Sequence, residues 1–404
     1  MAFPANLADL TPDLLTTVLA ERRPGVRVDK VRVLERAKCG DGLASTADRV
    51  ALGLDYMPGC EADLPARMVL KTILLHRTLR FGMPVILGLA RTLSRLDRVP
   101  MLGSRARPLT FSVVNLYQRF FPHAPEAMYA NEVHFYRDIR PELEIEAPRA
   151  FGSVFDESNG QFGILMEDLT LRAARFPNAT TPVSSDEVAG LLSTQAALHA
   201  RFWQSPRFDA DLRWLPTTSR GGMFPVFDAI GLDLIRDQVR KNAFKQELLA
   251  PLNRSLEQLW QDTWKVQSLF DAGPVTLCHG DSHIANTYLL PGAQGGLLDW
   301  QLMVKGSWAH DLTYLIVTAL EPEARRTHER ELIAHYLQEL RSRGVQGAPG
   351  DEEAWLRYRQ AVVWGIVIGW LITPPQNYGR AITEANIRRL VTAALDLETF
   401  AAVG

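Results

Sequence analysis

The sequence predicts an α+β protein of two lobes, with a strand-rich N-terminal lobe over residues 1–167 and a mostly helical C-terminal lobe over residues 168–404. Three observations lead to this prediction. Apolar residues that alternate with a period of two, which is typical of strands, are concentrated before residue 168. After that residue, apolar positions recur mainly at helical spacing. The length of 404 residues suits two domains, or one domain of two lobes.

The N-terminal lobe begins with a short helix that ends near residue 22, because Thr11 is a suitable N-cap and Pro12 suits the first helical position. An antiparallel meander of three strands is expected next, at residues 31–35, 50–56 and 66–73. After an insertion, the pattern predicts a helix at 126–139, two strands around 150–155 and 162–167, and a turn at 158–160 between them.

The insertion over residues 75–125 has a less regular pattern. Residues 81–93 are apolar with arginines around them, which is typical of a basic amphipathic helix, whereas Ser104 to Pro108 resembles a loop. The simplest interpretation is an insertion that packs on the body of the protein. A lid or a membrane-surface element is the alternative.

The C-terminal lobe opens with a linker-like stretch at 168–182, and helical patterns fill most of the remaining chain. We expect helices at about 185–203, 226–240, 244–270, 308–320, 323–343, 352–372 and 382–402.

Composition excludes several classes of protein. With 47% hydrophobic and 22% charged residues, the chain can bury a sizeable core, so disordered and fibrous classes do not fit. The net charge of −2 does not suggest a nucleic-acid or anionic-membrane partner. The longest apolar run, residues 361–372, is too short to span a bilayer, and the first ten residues do not read as a signal peptide. Three widely spaced cysteines do not suggest disulfides, so we expect a cytoplasmic protein.

The most informative stretch runs from Leu277 to Asn286 and contains the pattern H-G-D-x-x-x-x-N. A second aspartate, Asp299, follows at the end of a short apolar strand. Phosphoryl transfer from ATP uses these residue types in this order. An aspartate accepts the proton of the attacking hydroxyl, an asparagine reaches a metal ion, and a later aspartate bridges the metal to the phosphates. The pattern therefore predicts a phosphotransferase with Asp281 as its base.

Parts of this stretch are also compatible with two different roles. Asp281 could belong to an ordinary loop turn in which Gly280 supplies a positive φ, but the position of Asp299 favours phosphotransfer. His279 and His283 lie four residues apart beside Cys278, which would suggest zinc. No further cysteine or histidine cluster completes four ligands, so zinc is disfavoured.

The sequence resembles the aminoglycoside phosphotransferase and choline kinase-like family, and within it the bacterial ecdysteroid kinase-like phosphotransferases. Six or seven pieces carry this resemblance, in family order, over about residues 31–314. They are residues 69–71, 131–136, 165–169, 197–203, the H-G-D-x-x-x-x-N stretch, residues 299–301 and residues 311–312. The resemblance implies a protein-kinase-like fold of two lobes that uses ATP and Mg²⁺.

For the N-terminal lobe, the resemblance implies a nucleotide site. Lys71, one of only seven lysines, would contact the α- and β-phosphates, and Glu132 would pair with it. Glu167 and Leu169 fall in the hinge, where backbone groups would hydrogen-bond the adenine. Ser45 lies in a glycine-containing loop at the place of a phosphate-covering loop.

For the C-terminal lobe, the resemblance implies that Asp281 is the catalytic base and that Asn286 and Asp299 bind Mg²⁺, an ion that prefers hard oxygen ligands. His279 would tie the loop to the segment of Asp299, and Asp311 would brace the loop.

The family phosphorylates hydroxyl groups of small molecules, so we expect the acceptor pocket in the helical lobe. A polycationic aminoglycoside needs many exposed acids, whereas the candidate pocket segments are aromatic and apolar. They are residues 202–203, 214–216 and 223–225, Trp364, Trp370 and residues 374–378. These aromatics could equally belong to the core. Our hypothesis is an acceptor that is an uncharged, partly apolar alcohol.

Other functions also remain compatible with the sequence. One is an antibiotic phosphotransferase. Another is a nucleotide-binding pseudokinase that serves as an interaction module, although the presence of Lys71, Asp281, Asn286 and Asp299 argues against it. A protein kinase fits less well, because no long activation segment separates Asp299 from Asp311. We expect no nucleic-acid partner and no membrane span, and the sequence leaves the oligomeric state open.

Overall fold

The computed structural model describes residues 3–4, 6–37, 47–60, 64–74, 77–96, 103–120, 126–157, 160–219 and 224–404. The α+β class is confirmed, because a five-stranded antiparallel sheet in the first half of the chain is followed mainly by helices. Within the described ranges, no helix combines the length and the apolar character needed to cross a membrane.

The strands of the described residues are β1 Val28–Ala37, β2 Asp48–Tyr56, β3 Arg67–Thr72, β4 Ala150–Asp156, β5 Gln161–Glu167, β6 Thr276–Cys278, β7 Thr287–Leu290, β8 Gln294–Leu297 and β9 Val304–Gly306. The first five form one antiparallel sheet in the order β1-β2-β3-β5-β4. The predicted meander is therefore confirmed. Two small antiparallel pairs, β6 with β9 and β7 with β8, flank the H-G-D-x-x-x-x-N stretch and its neighbouring aspartate.

The α-helices of the described residues are α1 Pro12–Ala20, α2 Arg77–Leu96, α3 Gly103–Phe120, α4 Glu126–His134, α5 Ser185–Arg201, α6 Phe224–Lys241, α7 Ala243–Leu249, α8 Leu256–Asp271, α9 Trp308–Ala319, α10 Pro322–Ser342, α11 Asp351–Trp364, α12 Arg380–Asp396 and α13 Thr399–Val403. A π-helical segment, Gly365–Leu371, continues α11.

The chain divides into two compact units. Unit 1 comprises Met1–Glu142 and Ala147–Ala173, and unit 2 comprises Leu143–Glu146 and Ala174–Gly404. The lobe boundary predicted after residue 167 stays a prediction.

Unit 1 has its core between the sheet and α1. Alternate residues of β2, namely Val50, Leu52 and Leu54, are buried, and they share one hydrophobic cluster with Leu15 and Val18 of α1. Burial of these side chains on one face of the sheet fixes the register of β2 and β3, since a slip of one residue would turn the apolar set outward. That register places Lys71 near the end of β3.

Unit 2 is built around α9, in which every residue from Trp308 to Ala319 is buried. Helices α5, α10, α11 and α12 all contact it. Because a helix buried on all sides is held rigidly, α9 keeps its side chains in fixed positions, among them that of Asp311.

Three predictions about helices are wrong. The single helix predicted over 382–402 is interrupted between α12 and α13, where Glu398 adopts a left-handed φ of 46°. The single helix predicted over 244–270 is interrupted between α7 and α8, where Pro251 cannot donate a helical hydrogen bond and Asn253 adopts a left-handed φ of 47°. The loop predicted from Ser104 to Pro108 lies inside α3. There, α3 contacts α2 and buries Ala106, Thr110 and Val114, and this packing outweighs the one helical hydrogen bond that Pro108 removes.

Candidate active site

The loop from His279 to Asn286 connects β6 to β7 in unit 2, and α9 holds it from below. The carboxylate of Asp311 accepts the backbone N–H groups of His279, at 2.6 Å, and of Gly280, at 3.0 Å. Burial would raise the pKa of Asp311, but hydrogen bonds from His199 and from the loop N–H of Gly280 hold that pKa below its usual value. The bracing role expected for Asp311 is therefore confirmed.

Gly280 is required where the loop turns. Its φ is 82°, and a Cβ atom at this position would lie 2.0 Å from the carbonyl oxygen of Leu302. A side chain here would force the loop away from the segment that follows Asp299. The glycine thus allows the two aspartate-bearing segments to approach each other.

His279 joins the same two segments. Its Nε2 lies 2.6 Å from the carbonyl oxygen of Leu298, and its Nδ1 accepts the backbone N–H of Asp281 at 3.3 Å. These partners assign the proton to Nε2, since Nδ1 accepts. The structural role predicted for His279 is confirmed, because one imidazole connects Asp281 to the residue before Asp299.

Asp281 is a partly buried side chain, 23% exposed, that lies near a second carboxylate. Burial, together with the charge of Asp299, raises the pKa of Asp281 to about 7. Asn286 donates its Nδ2 group to Oδ2 of Asp281 at 3.0 Å and to the backbone oxygen of the same residue at 2.8 Å. The structure therefore brings the predicted base and one predicted metal ligand into direct contact.

Asp299, the other predicted metal ligand, has an unusual backbone. Its φ is 62° and its ψ is 73°, in the left-handed region that side chains other than those of Asn and Asp rarely adopt. Such a conformation costs about 1–3 kcal/mol and persists where the surroundings enforce it, as they often do at functional sites.

His283 is a site residue that sequence reasoning considered only for zinc. Its Nδ1 accepts the N–H of Ala285 at 3.2 Å, which places the proton of the neutral ring on Nε2. That Nε2 lies 3.7 Å from Oδ2 of Asp281 and has no hydrogen-bond partner among the described residues. Burial lowers the pKa of His283 to about 3, so the ring is neutral. Its place two residues after Asp281 was the available signal.

An aromatic wall surrounds His283. Its ring centroid lies 5.8 Å from that of Tyr314, 5.5 Å from that of Trp370 and 5.6 Å from that of Tyr378, each in an edge-on arrangement. Trp370 and Tyr378 were predicted as acceptor-pocket residues, and both lie beside the loop. By contrast, Trp364 packs on Trp264.

The predicted nucleotide residues Lys71 and Glu132 meet in unit 1. The Nζ atom of Lys71 lies 2.8 Å from Oε1 and 2.7 Å from Oε2 of Glu132, and both side chains are almost completely buried. Glu132 lies in α4, which packs against β4 and β5 of the sheet. The pair is thus present, while its contact with a nucleotide stays a prediction.

The remaining predicted nucleotide residues are placed as follows. Glu167 ends β5, and its carboxylate accepts the N–H of Arg149 at 2.8 Å and lies 3.4 Å from Arg172, so the side chain is already engaged. Leu169 is buried at the start of a 3-10 turn that the side chain of Asp168 caps. Ser45 lies outside the described residues.

Among the described residues, the one group of His, Cys, Asp and Glu side chains arranged to hold a metal ion is His199, Cys278 and Asp311. His199 contacts Tyr336 at 2.7 Å and Asp311 at 3.2 Å, and Cys278 donates to the carbonyl oxygen of Ser307. Because these groups satisfy one another, the cluster reads as a buried polar network that supports the loop.

An H-G-D-x-x-x-x-N loop is braced by a buried aspartate, and a lysine of the sheet pairs with a glutamate of α4. In an α+β chain, these features define a kinase-like phosphotransferase. The chain belongs to the ecdysteroid kinase-like family, whose model matches residues 119–344, more than half of the chain. It is therefore a kinase of the kind that acts on hydroxyl groups of small molecules, and the resemblance seen in the sequence is confirmed.

Three solved structures are similar to this chain at low sequence identity. A spectinomycin phosphotransferase in complex with ADP and spectinomycin is 12% identical, with a TM-score of 0.44 over 97% of this chain and 99% of that chain. An ethanolamine kinase from Plasmodium vivax is 11% identical, with a TM-score of 0.45 over 90% and 81%. A choline kinase from Streptococcus pneumoniae is 10% identical, with a TM-score of 0.42 over 96% and 98%. No curated protein matches the chain in sequence.

Proposed function

We propose that this protein transfers the γ-phosphoryl group of ATP to a hydroxyl group of a small, uncharged and partly apolar alcohol. The observation that carries the proposal is the loop from His279 to Asn286, which holds the partly buried carboxylate of Asp281 close to the charge of Asp299. A loop that only turned the chain would gain nothing from two like charges in a partly buried place, since that arrangement costs free energy. Phosphoryl transfer needs both carboxylates, one to accept the proton of the attacking hydroxyl and one to bind the metal ion.

Asp281 is the proposed general base. Its pKa of about 7 means that the carboxylate is populated at neutral pH and still binds a proton well enough to remove one from an attacking hydroxyl. The hydrogen bond from Asn286 fixes the orientation of the carboxylate, so less reorganisation is needed when the acceptor binds. In this proposal the proton moves from the acceptor hydroxyl to a carboxylate oxygen of Asp281.

The donor set around Asp281 fits Mg²⁺. Because Nδ2 of Asn286 donates to Asp281, the amide oxygen is turned the other way and can ligate a cation. Asp299 adds a carboxylate, and oxygen ligands of this kind suit Mg²⁺. The ion, when bound, would neutralise charge on the phosphates.

Lys71 is the proposed ligand of the α- and β-phosphates. Glu132 holds its ammonium group through both carboxylate oxygens. A lysine fixed in this way can meet a phosphate without losing further side-chain entropy. For adenine, we propose backbone contacts near Glu167 and Leu169, since the carboxylate of Glu167 is engaged by Arg149 and Arg172.

The aromatic wall supports an acceptor with apolar surface. Tyr314, Trp370 and Tyr378 contact His283, which in turn lies 3.7 Å from the proposed base. Because His283 is neutral, it adds no positive charge beside Asp281. Tyr314 and Trp370 are buried, so the partly exposed Tyr378 is the ring of this wall that offers surface to an alcohol.

The first test compares the Asp281→Asn variant with wild type. We expect phosphoryl transfer to fall by about 10²–10⁴-fold while ATP binding is largely kept, because a base on the acceptor side acts in the transition state. Asp351→Asn, which removes an exposed carboxylate on α11, is the matched control and should leave transfer unchanged. Equal residual ATP hydrolysis in wild type and Asp281→Asn would instead favour a nucleotide-binding interaction module.

The second test identifies the acceptor. Purified protein with ATP and Mg²⁺ is incubated with a metabolite pool, with a panel of apolar alcohols and with kanamycin-type aminoglycosides, and products are detected by mass spectrometry. We expect phosphorylated apolar alcohols. Efficient turnover of the polycations with no reaction on apolar alcohols would make the protein an antibiotic phosphotransferase and contradict the proposed acceptor class.

A further inference from the structure

Helices α2 and α3 contact each other in unit 1 and form a hairpin. Among the side chains that the structure describes, the buried ones are Ala90 and Ser94 on α2, and Ala106, Thr110 and Val114 on α3. Spacing of four residues places each set on one helical face. The described buried positions of the hairpin are therefore small or medium-sized residues.

Larger apolar residues of the hairpin face solvent instead. Val85 is 69% exposed, Leu89 is 48% exposed and Leu96 is 37% exposed, all on α2, and Leu109 on α3 is 55% exposed. Val85, Leu89 and Leu96 are separated by four and seven residues, so they form one stripe along α2. Exposing such a stripe to water is unfavourable, and groups of exposed apolar side chains often mark interaction sites.

The charge of this segment is opposite to that of the remaining chain. Residues 75–125 contain eight arginines, no lysine and a single acid, Asp97, which gives a net charge of +7. Since the whole chain carries −2, all other residues together carry −9. The near-neutral total therefore hides a strongly basic segment. The matched family region begins at residue 119, so the hairpin lies almost entirely outside it.

We propose that the α2–α3 hairpin docks this protein on an anionic lipid surface. A strongly amphipathic helix with arginines and a low mean hydropathy lies in the plane of a membrane interface, with its apolar side chains in the acyl boundary. Val85, Leu89, Leu96 and Leu109 supply those side chains, and the arginines supply attraction to lipid phosphates. A nucleic acid would use the charge but not the apolar stripe. A protein partner would need no excess of seven positive charges.

Vesicle co-sedimentation of the full chain tests this proposal. The probes are vesicles of phosphatidylcholine alone and of phosphatidylcholine with phosphatidylglycerol. We expect at least about tenfold tighter binding to the anionic vesicles, weakened by added salt because surface charges are screened. The Val85→Glu/Leu89→Glu variant should lose at least about tenfold of this binding, since it places two acids in the stripe.

Leu395→Glu is the matched control, because Leu395 on α12 is 47% exposed, close to the value for Leu89, but lies in unit 2. It should bind anionic vesicles like wild type. The proposal is overturned if wild type does not bind anionic vesicles, if it binds neutral vesicles equally well, or if the hairpin variant still binds. It is also overturned if wild type instead forms a dimer or binds DNA, and the hairpin variant loses that dimer or that DNA binding. Phosphotransfer by the hairpin variant in lipid-free buffer should be unchanged, so this test is independent of the proposed function.

Discussion

Lys71 in unit 1 has a neighbour of opposite charge, whereas Asp281 in unit 2 has a neighbour of like charge. Lys71 and Glu132 are opposite charges that contact each other through two carboxylate oxygens. Asp281 and Asp299 are like charges, and their proximity, together with burial, raises the pKa of Asp281 to about 7. The pair in unit 1 is almost completely buried and Asp281 is partly buried, so a lowered dielectric strengthens the attraction in the first place and the repulsion in the second.

The two arrangements suit two different roles, one of positioning a side chain and one of accepting a proton. In unit 1, the charge of Lys71 is balanced by that of Glu132, so the pair can hold the lysine in one position before any nucleotide binds. The aspartates in unit 2 reduce stability in return for a carboxylate that binds a proton near neutral pH. Stability and function therefore depend on charge in different ways in the two units, and single substitutions can test each side of that contrast.

The largest expected effect is on the stability of unit 1. Lys71→Met leaves Glu132 buried without its cation, which should lower the free energy of unfolding by about 3–5 kcal/mol. Replacing both residues, in Lys71→Met/Glu132→Leu, should recover most of that loss, since no charge remains buried. Urea denaturation of the full chain measures both.

Lys30→Met is the control for this series, because Lys30 is a largely exposed lysine on β1 and its loss should change stability by less than about 0.5 kcal/mol. Both Lys71 variants should also lose ATP binding. If Lys71→Met were as stable as Lys30→Met, the view of the pair as a preorganised buried unit would be wrong.

A smaller effect is expected from His283, which tests the environment of Asp281. His283→Phe keeps an aromatic ring against Trp370 but removes the Nε2–H group that lies 3.7 Å from Asp281. We expect kcat to fall by about 10–100-fold with little change in the KM for ATP, because the lost group acts on the orientation of the base.

His283→Gln should restore part of the lost kcat, since its amide can donate in place of Nε2–H. His328→Gln, at a partly exposed histidine of α10, is the control and should match wild type. A fall in kcat that was equal for the Phe and Gln variants would point to packing of the loop and not to the donor.

Several features of the two sites could be predicted from the sequence, and those that could not be predicted depend on contacts between distant parts of the chain. The meander and the H-G-D-x-x-x-x-N loop could be predicted because period-two burial and fixed loop spacing are local signals. The pairing of Lys71 with Glu132 spans 61 residues, so it required the family resemblance and not periodicity. The two residues meet because α4, which carries Glu132, packs on the sheet that carries Lys71.

Other features depend on tertiary contacts that no local pattern records. The environment of His283 is set by Tyr314, Trp370 and Tyr378, which come from α9 and from segments after α11. The break before α8 needed the left-handed conformation of Asn253, which a helical apolar pattern conceals. The buried positions of α2 could not be predicted from its apolar pattern either, because the side chains described as buried there are Ala90 and Ser94.

Lys245 is another lysine that is buried among the described residues, and its partners differ from those of Lys71. Lys71 is held by a carboxylate, whereas Lys245 donates to the carbonyl oxygens of Trp370, Leu371 and Thr373, at 2.7 to 3.0 Å. Carbonyl dipoles offset the loss of hydration less fully than a full negative charge does. Burial accordingly lowers the pKa of Lys245 to about 7.

This pKa predicts a pH dependence of stability in unit 2. The unfolded chain keeps the Lys245 proton up to its ordinary pKa of 10.5, while the folded chain releases it near pH 7. The unfolded state therefore binds more protons between these values, so stability rises with pH across that window. From pH 7 to pH 8 this group should add roughly 1 kcal/mol to the free energy of unfolding.

Urea titrations at pH 7 and pH 8 test this prediction. The Lys245→Met variant should lose the increment. Lys241→Met, which removes an exposed lysine of α6, is the control and should keep the increment. Equal pH increments in wild type and Lys245→Met would mean that the three carbonyls keep the buried ammonium of Lys245 charged across this window.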